Sequence, residues 1–336
     1  MDTNNTNASS LAPSRCPVIE VVIVNTGARE ATLTIGALHA LNEEMKQLPG
    51  LRVSVADNNS GDGSDERIRQ AMADLGWGDR GTVVQVGRNG GFAVGNNTAI
   101  RHALARQIKP DYVFLLNPDT VAQPGAIATL VEFMEARPGV GLTGSRMKYP
   151  DGRTQLSSFR FHSVLSELEN SMRLGIVSRW LQRYQVVIPL PDHPAEVDWV
   201  GGAAMMIRRD VIDKIGLLDE TYFVYYEETD YCLRARRAGF TSWYVPQSVI
   251  VHLEGQNTGV SDRKKAPKRR PRYWFESRRY YFVRNHGWPA ALAADVVWAL
   301  GYATYRLRQI IQRKPKTDPP YFLWDFIRYS ATLPRR

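Results

Sequence analysis

The sequence predicts an α/β protein built on an open, mostly parallel sheet. Short β-branched segments alternate with longer helical segments over residues 18–119. This order is typical of parallel sheets, because a parallel connection needs a crossover that is usually a helix. Polar residues also follow the predicted strands directly, and open α/β sheets bind ligands beyond the carboxyl ends of their strands. These two observations predict both the fold class and a crevice at one edge of the sheet.

The first half of the chain is the more regular part. Each predicted strand is a short apolar run rich in valine and isoleucine, as expected for a strand buried on both faces. Glycine, asparagine and aspartate cluster between the segments and predict loops. The predicted strands cover residues 18–24, 51–57, 82–86 and 112–116, and the predicted helices cover residues 31–47, 65–75 and 97–107.

The second half is less regular. A helix is predicted over residues 163–184, and residues 188–196, with three prolines, predict a mobile loop. Residues 197–208 predict a strand whose glycine pair, Gly201 and Gly202, would allow close approach of a ligand or another backbone. A helix ending before Gly239 and two strands, 241–245 and 249–252, complete this half.

The charge of the chain is unevenly distributed. Residues 1–260 carry 25 basic and 29 acidic side chains, whereas residues 261–336 carry 18 basic and 5 acidic ones. A basic tail on a mildly acidic body favours a local anionic surface over general nucleic-acid binding. Two cysteines exclude a disulfide framework and favour a reducing compartment. We therefore divide the chain into a disordered tail (1–17) without a secretory signal, a catalytic domain (18–260) and a basic, aromatic helical region (261–336).

Three of the polar residues at strand ends, Asp57, Asn89 and Asp119, should converge on the crevice. Asp57 could hydrogen-bond a ribose or a base, and Asn89-Gly90-Gly91-Phe92 could offer backbone donors to a phosphate or a base. A carboxylate such as Asp119 can ligate a divalent cation that bridges a diphosphate. An Asx turn or a helix cap would explain each residue locally as well. No G-x-G-x-x-G follows the first strand, which argues against a dehydrogenase.

A cluster of acids, Glu227, Glu228 and Asp230, is the strongest candidate for catalysis. Carboxylates this close raise one another's pKa when they are buried, and such a group can accept a proton from a reacting hydroxyl. The alternative is a solvated helix start, because acids favour the first helical turn. His252, at the end of the last predicted strand, is either a structural residue or a nitrogen ligand for a metal at Asp119.

Together these segments resemble family 2 glycosyltransferases with the GT-A fold, a Rossmann-like nucleotide-binding sheet. The bacterial rhamnosyltransferase-like group is the most similar. The resemblance covers about residues 18–260, and its specificity comes from seven modest motifs in the expected order. They are Val22–Asn25, Asp57–Ser60, Asn89–Asn97, Leu115–Thr120, Trp199–Ala203, Tyr226–Asp230 with Arg234, and Val251-His252.

The resemblance implies a role for each motif. Asp57 would hold the nucleoside, and Asp119 with His252 would hold Mg²⁺ or Mn²⁺ on the donor diphosphate. Glu228 stands where relatives usually carry an aspartate base, with Glu227 and Asp230 in reserve, and the usual D-x-D is reduced to Asn117-x-Asp119. The expected donor-binding residues are Asn25, Asp57, Asn59, Asn89, Gly91, Phe92, Asn97, Asn117, Asp119 and Gly202.

The implied function is inverting transfer of a sugar, with rhamnose as the first guess, from a nucleotide donor. The acceptor would be a hydroxyl of a glycan or of a polyprenyl-diphosphate-linked acceptor in cell-surface polysaccharide synthesis. Two other classes remain open. A catalytically silent sugar-nucleotide-binding partner would be favoured by loss of the acids, and all three are present. A nucleic-acid-binding protein is suggested only by the tail, and salt-dependent DNA binding would support it.

The basic tail predicts peripheral attachment to an anionic membrane. Aromatic residues interleave with basic ones over residues 263–284, as at membrane interfaces. Residues 288–305 are apolar except for Asp295, whose central charge argues against a transmembrane span. The expected location is therefore cytoplasmic, on the inner face of the plasma membrane. The alternatives for the tail are packing against the catalytic domain or against a second subunit, as in a homodimer.

Overall fold

A computed structural model describes residues 16–253, 267–315 and 318–330. The strands are β1 (Ile19–Asn25), β2 (Leu51–Asp57), β3 (Gly81–Gln85), β4 (Tyr112–Leu116), β5 (Thr120–Ala122), β6 (Val140–Lys148), β7 (Ser158–Phe159), β8 (Ala195–Val197), β9 (Trp199–Val200), β10 (Ala204–Arg208) and β11 (Thr241–His252). The helices are α1 (Ala28–Gln47), α2 (Ser64–Asp74), α3 (Gly91–Leu104), α4 (Ala126–Glu135), α5 (Val164–Met172), α6 (Gly175–Trp180), α7 (Arg209–Ile215), α8 (Glu227–Arg237), α9 (Arg272–Ile311) and α10 (Phe322–Ser330). Two short 3₁₀ helices cover Gly78–Arg80 and Gln182–Tyr184.

The main sheet joins an all-parallel half to a mixed half, in which β6 and β11 are parallel and the other pairs are antiparallel. Its order is β3-β2-β1-β4-β10-β6-β11-β5, with β8 added to β11. The pairs β3–β2, β2–β1 and β1–β4 are all parallel, as the strand–helix alternation predicted. Strand β10 runs antiparallel to both β4 and β6, so the sheet as a whole is mixed. The carboxyl ends of β1, β2 and β4 therefore lie at one edge, which borders the candidate site.

Helices cover both faces of this sheet and make two separate cores. On one face α1, α2 and α4 pack against the sheet through residues such as Leu38, Ile68 and Leu130. On the other face α3, α7 and α8 do so through residues such as Ile100 and Tyr231. Strand β1, whose seven residues are all buried, separates the two cores. This burial explains why its sequence reads as a continuous apolar run.

In the second half of the chain, three predicted elements differ from the observed ones. The predicted strand 197–208 is divided into β8, β9 and β10, because the chain turns at Gly201–Ala203. The predicted helix 163–184 is divided into α5, α6 and a 3₁₀ turn, since Arg173 takes a left-handed conformation with φ of 46°. The two strands predicted over 241–252 form one strand with an irregularity between Val245 and Val249, next to Pro246.

Helix α9 packs along α5 and α8 and continues the body of the protein. It bends at Gly287, which has φ of 82°, and Pro289 lies in the first turn after the bend, where a proline is tolerated. Asp295 forms ion pairs of 2.6 Å with Arg278 and 2.5 Å with Arg279, and Arg278 also contacts Glu167 of α5 at 2.7 Å. The charge in the middle of the apolar segment is thus neutralised inside the protein.

No helix within the described residues combines the length and apolar character that crossing a bilayer requires. The predicted tail 1–17 lies outside the described residues except for Cys16 and Pro17, and residues 261–266 of the basic region lie outside them as well.

Candidate active site

The ends of β1 and β2 form a connected polar cluster around Asp57. The Asn25 side chain donates to the Asp57 carboxylate at 3.2 Å and to Ser64 Oγ at 3.1 Å. Ser60 donates to the same carboxylate through its hydroxyl at 2.5 Å and its backbone N–H at 3.2 Å. Asn25 Oδ1 is buried and has no hydrogen-bond partner among the described residues. Of the predicted residues, Asn25 and Asp57 therefore meet as expected, and a buried acceptor is left over for a ligand donor.

Asn58 connects this cluster to the turn at Asn89. Its side-chain N–H groups donate to Asn89 Oδ1 and to the Gly91 carbonyl, both at 3.2 Å, and its Oδ1 accepts from Gly90 N–H at 3.1 Å. Asn58 is almost completely buried, so its amide fixes the turn rather than facing solvent. The neighbouring Asn59, a predicted donor contact, has a left-handed φ of 61° at the surface of the loop.

Gly91 and Phe92 bring α3 against the loop that precedes the acids. Gly91 has φ of +78°, and a Cβ there would lie 2.0 Å from the Phe223 carbonyl oxygen, so only glycine fits. The same carbonyl accepts a 2.8 Å hydrogen bond from Phe92 N–H. The sequence predicted a turn here and placed the helix start at residue 97, but the glycine conformation lets α3 begin six residues earlier.

Asn97 has a different environment from the other predicted donor residues. Its side chain is fully buried, and it donates to the Leu218 carbonyl at 2.8 Å and to Glu220 at 2.9 Å. Its Oδ1 accepts from Leu218 N–H at 3.1 Å. The structure therefore does not bring the Asn97 amide to the crevice, because its hydrogen bonds are made with Leu218 and Glu220.

Asp119 and His252 face each other across the pairing of β5 with β11. Residue 252 lies opposite Thr120, and Asp119 Oδ1 is 3.3 Å from His252 Nε2. Gln155 donates its Nε2 to the His252 backbone carbonyl at 2.8 Å, which leaves Gln155 Oε1 as an acceptor 3.0 Å from His252 Nδ1. The Nδ1 atom must then carry the hydrogen. When the ring is neutral, Nε2 is an acceptor 3.3 Å from a carboxylate oxygen, and a cation bound by both atoms would stabilise the pair.

These two ligands suit a hard divalent cation shared with a substrate. Ligands about 2.1 Å from an ion and at right angles to each other lie about 3 Å apart, close to the observed 3.3 Å. Within the described ranges no group of three or more metal-ligating side chains occurs. The pair therefore fits a metal that takes most of its ligands from diphosphate oxygens and water, as Mg²⁺ commonly does.

Glu30 was missed by the sequence interpretation. It lies in the first turn of α1, where it accepts hydrogen bonds from Thr26 N–H at 2.7 Å and from the Thr26 hydroxyl at 2.5 Å. Burial raises the pKa of Glu30, and the negative charge of Asp119 raises it further. The hydrogen bonds from Thr26 lower the pKa but do not cancel these effects. An acid in a first helical turn is ordinarily a dipole partner, so only the fold reveals its proximity to Asp119.

Glu227 and Glu228 begin α8 after two residues in a strained conformation. Tyr225 and Tyr226 have φ values of 75° and 71°, which side-chain-bearing residues rarely adopt. Such strain persists only where the surroundings impose it, and it concentrates at functional sites. The strained pair directs the first turn of α8 toward Gly202, where a Cβ would lie 3.2 Å from the Phe92 ring and 3.7 Å from Glu228 Cβ. Phe92, Gly202 and Glu228 thus meet, as predicted for the site.

The two glutamates have perturbed pKa values. Burial raises the pKa of Glu228, against hydrogen bonds from its own N–H and that of Gly202. Burial and the neighbouring Glu228 charge hold the pKa of Glu227 well above its ordinary value. In each side chain Oε2 is buried and has no hydrogen-bond partner among the described residues. A carboxylate with a raised pKa and a free oxygen is suited to accept a proton.

Asp230, the third predicted acid, points toward the tail. Its carboxylate accepts from Arg234 Nε at 2.8 Å and from Asn285 Nδ2 at 2.7 Å, and Arg284 Nε lies 3.3 Å away. Asp230 is fully buried, and both of its oxygens are occupied. It therefore anchors α8 to α9, whereas Glu227 and Glu228 each keep a buried oxygen without a partner among the described residues.

Glu228 and the Asp119–His252 pair are connected through the turn at residues 201–203. Asn117 N–H donates to the Ala203 carbonyl at 3.0 Å, which binds the end of β4 to this turn, and Asp119 follows two residues later. Gly202 in the same turn donates to Glu228. One crevice is thus bordered by a polar cluster of the kind that can bind a nucleoside, a pair of side chains of the kind that can bind a cation, and the buried carboxylates of Glu227 and Glu228. This combination on a sheet with an all-parallel half and a mixed half is that of a glycosyltransferase of the GT-A fold.

Comparisons with known proteins give the same class and specify the family. The family model described as "Glycosyltransferase like family 2" matches residues 17–270, and the chain belongs to that family. N-acetylglucosaminyl-diphospho-decaprenol L-rhamnosyltransferase of Mycobacterium tuberculosis is 28% identical over 221 residues, which are 62% of this chain and 68% of the relative. The dTDP-rhamnosyl transferase RfbF of Shigella flexneri is 22% identical over 248 residues, 74% of this chain and 73% of the relative.

The fold is shared with a mannosyltransferase of known structure. The mannosyltransferase PcManGT from Pyrobaculum calidifontis, solved in complex with GDP-Man and Mn²⁺, superposes with a TM-score of 0.55 at 16% identity, covering 95% of this chain and 86% of that one. The similarity extends over nearly the whole chain, and at this identity it establishes the fold alone.

Proposed function

We propose that this glycosyltransferase transfers a sugar with inversion from a nucleoside-diphosphate donor to a hydroxyl of a lipid-linked or glycan acceptor during cell-surface polysaccharide synthesis. The observation that carries the proposal is the position of Glu228. Its carboxylate has a free, buried Oε2 beside Gly202, in the turn that also binds the strand end before Asp119. The rhamnosyltransferases among the relatives make dTDP-linked rhamnose the first donor to test.

In the proposed mechanism the donor lies along the carboxyl edge of the sheet. Asn25 and Asp57 take the nucleoside, and the diphosphate lies near the Asn89 turn and Asp119. Asp119 and His252 would hold Mg²⁺ or Mn²⁺, which when bound neutralises charge on the departing nucleoside diphosphate. The other predicted donor contacts, Asn59 and Asn117, border the same loops. The catalytic domain in this proposal is residues 18–260.

Glu228 is the proposed base. The acceptor hydroxyl loses its proton to Glu228 Oε2 as its oxygen bonds to the anomeric carbon, and the bond from that carbon to the diphosphate oxygen breaks with its electron pair. Attack from the side opposite the leaving group inverts the anomeric configuration. Burial supports the role of Glu228, because a carboxylate with a raised pKa is a stronger proton acceptor once it is ionised.

A donor screen followed by a transfer assay tests the function. A panel of nucleotide sugars is scanned by thermal shift, since a ligand that binds the native state raises the melting temperature. The best donor is then titrated calorimetrically with and without Mn²⁺, using the wild type and Asp119→Ala. We expect the metal to strengthen binding in the wild type only. Equal affinities in all four titrations would refute the metal site, and an NMR-determined retained configuration of the product would refute the mechanism.

We also propose that the protein attaches to an anionic membrane at the inner face of the plasma membrane, and the outer face of α9 supports this. Trp288, Leu292, Val296, Leu300 and Leu307 repeat every four or seven residues on one side of the helix and are about half to two-thirds exposed. From Trp288 to Tyr305 the only charged residue is Asp295, which pairs inward. This uncharged face extends along about 27 Å of helix.

The charges around this face favour a bilayer over a second copy of the chain. Every acidic residue in the described part of residues 267–330 is paired with an arginine, namely Glu276, Asp295, Asp318 and Asp325. Arg313, Lys314 and Arg328 are exposed. A twofold contact through α9 would bring like charges together in either orientation. Exposed tryptophan beside basic side chains suits the headgroup region of an anionic bilayer.

Flotation of the full chain with anionic liposomes tests this attachment. Leu292→Glu with Leu300→Glu should weaken binding about 100-fold, because apolar burial is lost and negative charge is added. The matched control, Ile108→Glu with Val187→Glu, changes two similarly exposed residues of the body and should leave flotation unchanged. Unchanged flotation of the α9 variant would refute the proposal, as would a shift of the wild type to a dimer that the α9 variant abolishes.

A nucleic-acid-binding role has little support in the tail. The aromatic residues that suggested it include Phe275, Tyr281 and Phe282, which are buried against α5, α8 and α10 and are not available to stack on bases.

A further inference from the structure

A cavity of about 390 Å³ lies between the end of α5, the middle of α9 and the segment that leads into α10. Its size is in the range of small-molecule sites. Its walls are of two kinds. Trp274, Trp298, Tyr302 and Phe322 form an aromatic side, and Arg173, Lys268 and Arg270 bring positive charge to the opening. None of these residues belongs to the donor or metal sites described above.

Two of the three cations have no acidic partner among the described residues. Arg173 is paired with Asp318 at 2.8 Å, the one acidic residue of the cavity wall. No ion pair within the described ranges involves Lys268 or Arg270. Arg270 Nε is moreover buried and has no hydrogen-bond partner among the described residues. A buried guanidinium N–H without an acceptor is costly, and an anion in the cavity would remove that cost.

The cavity is near the loop that presents the proposed base. Arg270 interacts electrostatically with the Tyr225 hydroxyl. Tyr273, next to the cavity residue Trp274, stacks on the Tyr225 ring with centroids 6.2 Å apart and contacts Phe223 at 5.2 Å. Tyr225 is only three residues before Glu228. A molecule in the cavity therefore lies on the α9 side of the base, away from the Asp57 cluster at the ends of β1 and β2.

We propose that this cavity binds the diphosphate of a polyisoprenyl-diphosphate-linked acceptor, with Lys268 and Arg270 on the phosphate oxygens and the aromatic wall against the first isoprene units. This inference rests on the proposed function, since it supplies the acceptor half of that reaction. A diphosphate needs two or more donors with positive charge, and arginine suits it through its planar fork of N–H groups. The aromatic wall selects a diphosphate that carries an apolar chain over free inorganic diphosphate.

Calorimetric binding of farnesyl diphosphate to the full-length protein tests the site. EDTA is present throughout, so that the diphosphate does not bind through a metal at Asp119. We expect Arg270→Gln to weaken binding about 10- to 100-fold and Lys268→Gln to weaken it less, because the lysine is exposed. Arg313→Gln, an exposed cation elsewhere on the tail, is the matched control and should bind like the wild type.

Each result has a definite meaning. Equal affinity of Arg270→Gln and wild type for farnesyl diphosphate refutes the site. Equal affinity of the wild type for inorganic and farnesyl diphosphate would refute binding of the isoprene units by the aromatic wall. Binding of farnesol as tight as that of farnesyl diphosphate would refute binding of the diphosphate by Lys268 and Arg270.

Steady-state transfer separates this inference from the proposed function. With a lipid-linked acceptor, Arg270→Gln should raise the acceptor KM by a similar factor and leave the donor KM unchanged. If the wild type transfers sugar and this KM does not move, the cavity proposal fails alone. If no transfer occurs with any acceptor but Arg270-dependent binding persists, the proposed function fails alone.

Discussion

Replacement of Glu228 by glutamine tests the proposed base with little change in shape. Glutamine keeps the size of the side chain and can still accept a hydrogen bond from Gly202 N–H through its amide oxygen. What it loses is the capacity to accept a proton. A positioned general base contributes about 10²- to 10⁴-fold to a rate. We therefore expect kcat to fall by that factor, which corresponds to about 3–5.5 kcal/mol in activation free energy.

The donor affinity should not change in this variant, because in the proposed mechanism Glu228 contacts the acceptor hydroxyl and not the donor. The assay measures kcat at saturating donor and acceptor, together with the donor Kd by calorimetry, which we expect to stay within about twofold of the wild type. Glu227→Gln is the matched control, since it removes the adjacent carboxylate from the same helical turn. Its kcat should fall less than about tenfold if Glu228 is the base.

A second substitution tests the length of the side chain. Glu228→Asp keeps the carboxylate but withdraws it by one methylene, and a misplacement of about 1 Å can cost 10²-fold. Partial activity of Glu228→Asp, together with near-complete loss of activity in Glu228→Gln, would identify the carboxylate as the reacting group. Retention of more than a tenth of wild-type turnover by Glu228→Gln would refute the assignment, and so would a larger loss in Glu227→Gln.

Three other predictions concern glycine geometry, charge and pH. Gly91→Ala should lower the free energy of unfolding by about 2–4 kcal/mol in urea denaturation, from backbone strain and a lost hydrogen bond; Gly125→Ala, with φ of +80° but no neighbour within 4 Å, should cost distinctly less. Asp295→Ala should cost about 3 kcal/mol, since it leaves the buried Arg278 with one partner fewer, and an effect below 1 kcal/mol would contradict the ion-pair network. Glu227 has a raised pKa in the folded protein, so its contribution to stability is present below the unfolded-state pKa and is lost as pH rises through the folded one. Glu227→Gln should therefore gain melting temperature relative to the wild type as pH increases, and a constant difference would contradict the raised pKa.

The parallel half of the fold could be predicted because its signals are local. Strands β2 and β4 coincide with the predicted bounds, since both are continuous apolar runs that end at polar loop residues. The mixed half could not be predicted in the same way. The position of β10 between β4 and β6 depends on pairing over about 60 to 90 residues, for which a single sequence carries no local pattern.

The residues of the candidate site that have local sequence signals could be predicted, and their distant partners could not. Asp57 and Asp119 follow strands directly, so their place at the sheet edge follows from the topology. The partners that define their chemistry come from distant segments. Gln155, which fixes the His252 ring, is 97 residues away, and Glu30 is an ordinary first-turn acid until the fold brings it near Asp119. Asn97 is the opposite case. It lies in a motif that matches the family, but its side chain makes a structural hydrogen bond to the Leu218 carbonyl.

The composition of the tail predicted membrane attachment, but the structure shows that the tail also supports the loop before Glu227 and Glu228. The first half of α9 contacts residues 223–226, the loop before Glu227 and Glu228 (the base loop), at several successive positions. Tyr273 contacts Phe223 and Tyr225, Ser277 Oγ donates to the Val224 carbonyl at 3.1 Å, and the Tyr281 ring lies 5.5 Å from that of Tyr226. These contacts hold the two left-handed residues that direct α8 toward Gly202. A truncation after residue 260 would therefore remove the support of the base together with the proposed membrane surface, and loss of activity in it would say nothing about membranes.

Point variants avoid this ambiguity because the two faces of α9 have separate contacts. The inner face of its first half supports the base loop, whereas the exposed apolar residues all follow the bend at Gly287. Leu292→Glu with Leu300→Glu should therefore impair transfer to a lipid-linked acceptor in liposomes but not to a short, soluble acceptor analogue. Equal impairment with both acceptors would mean that the second half of α9 acts on the base through the protein, by way of the Arg278–Asp295 pair, and would contradict a membrane role for that face.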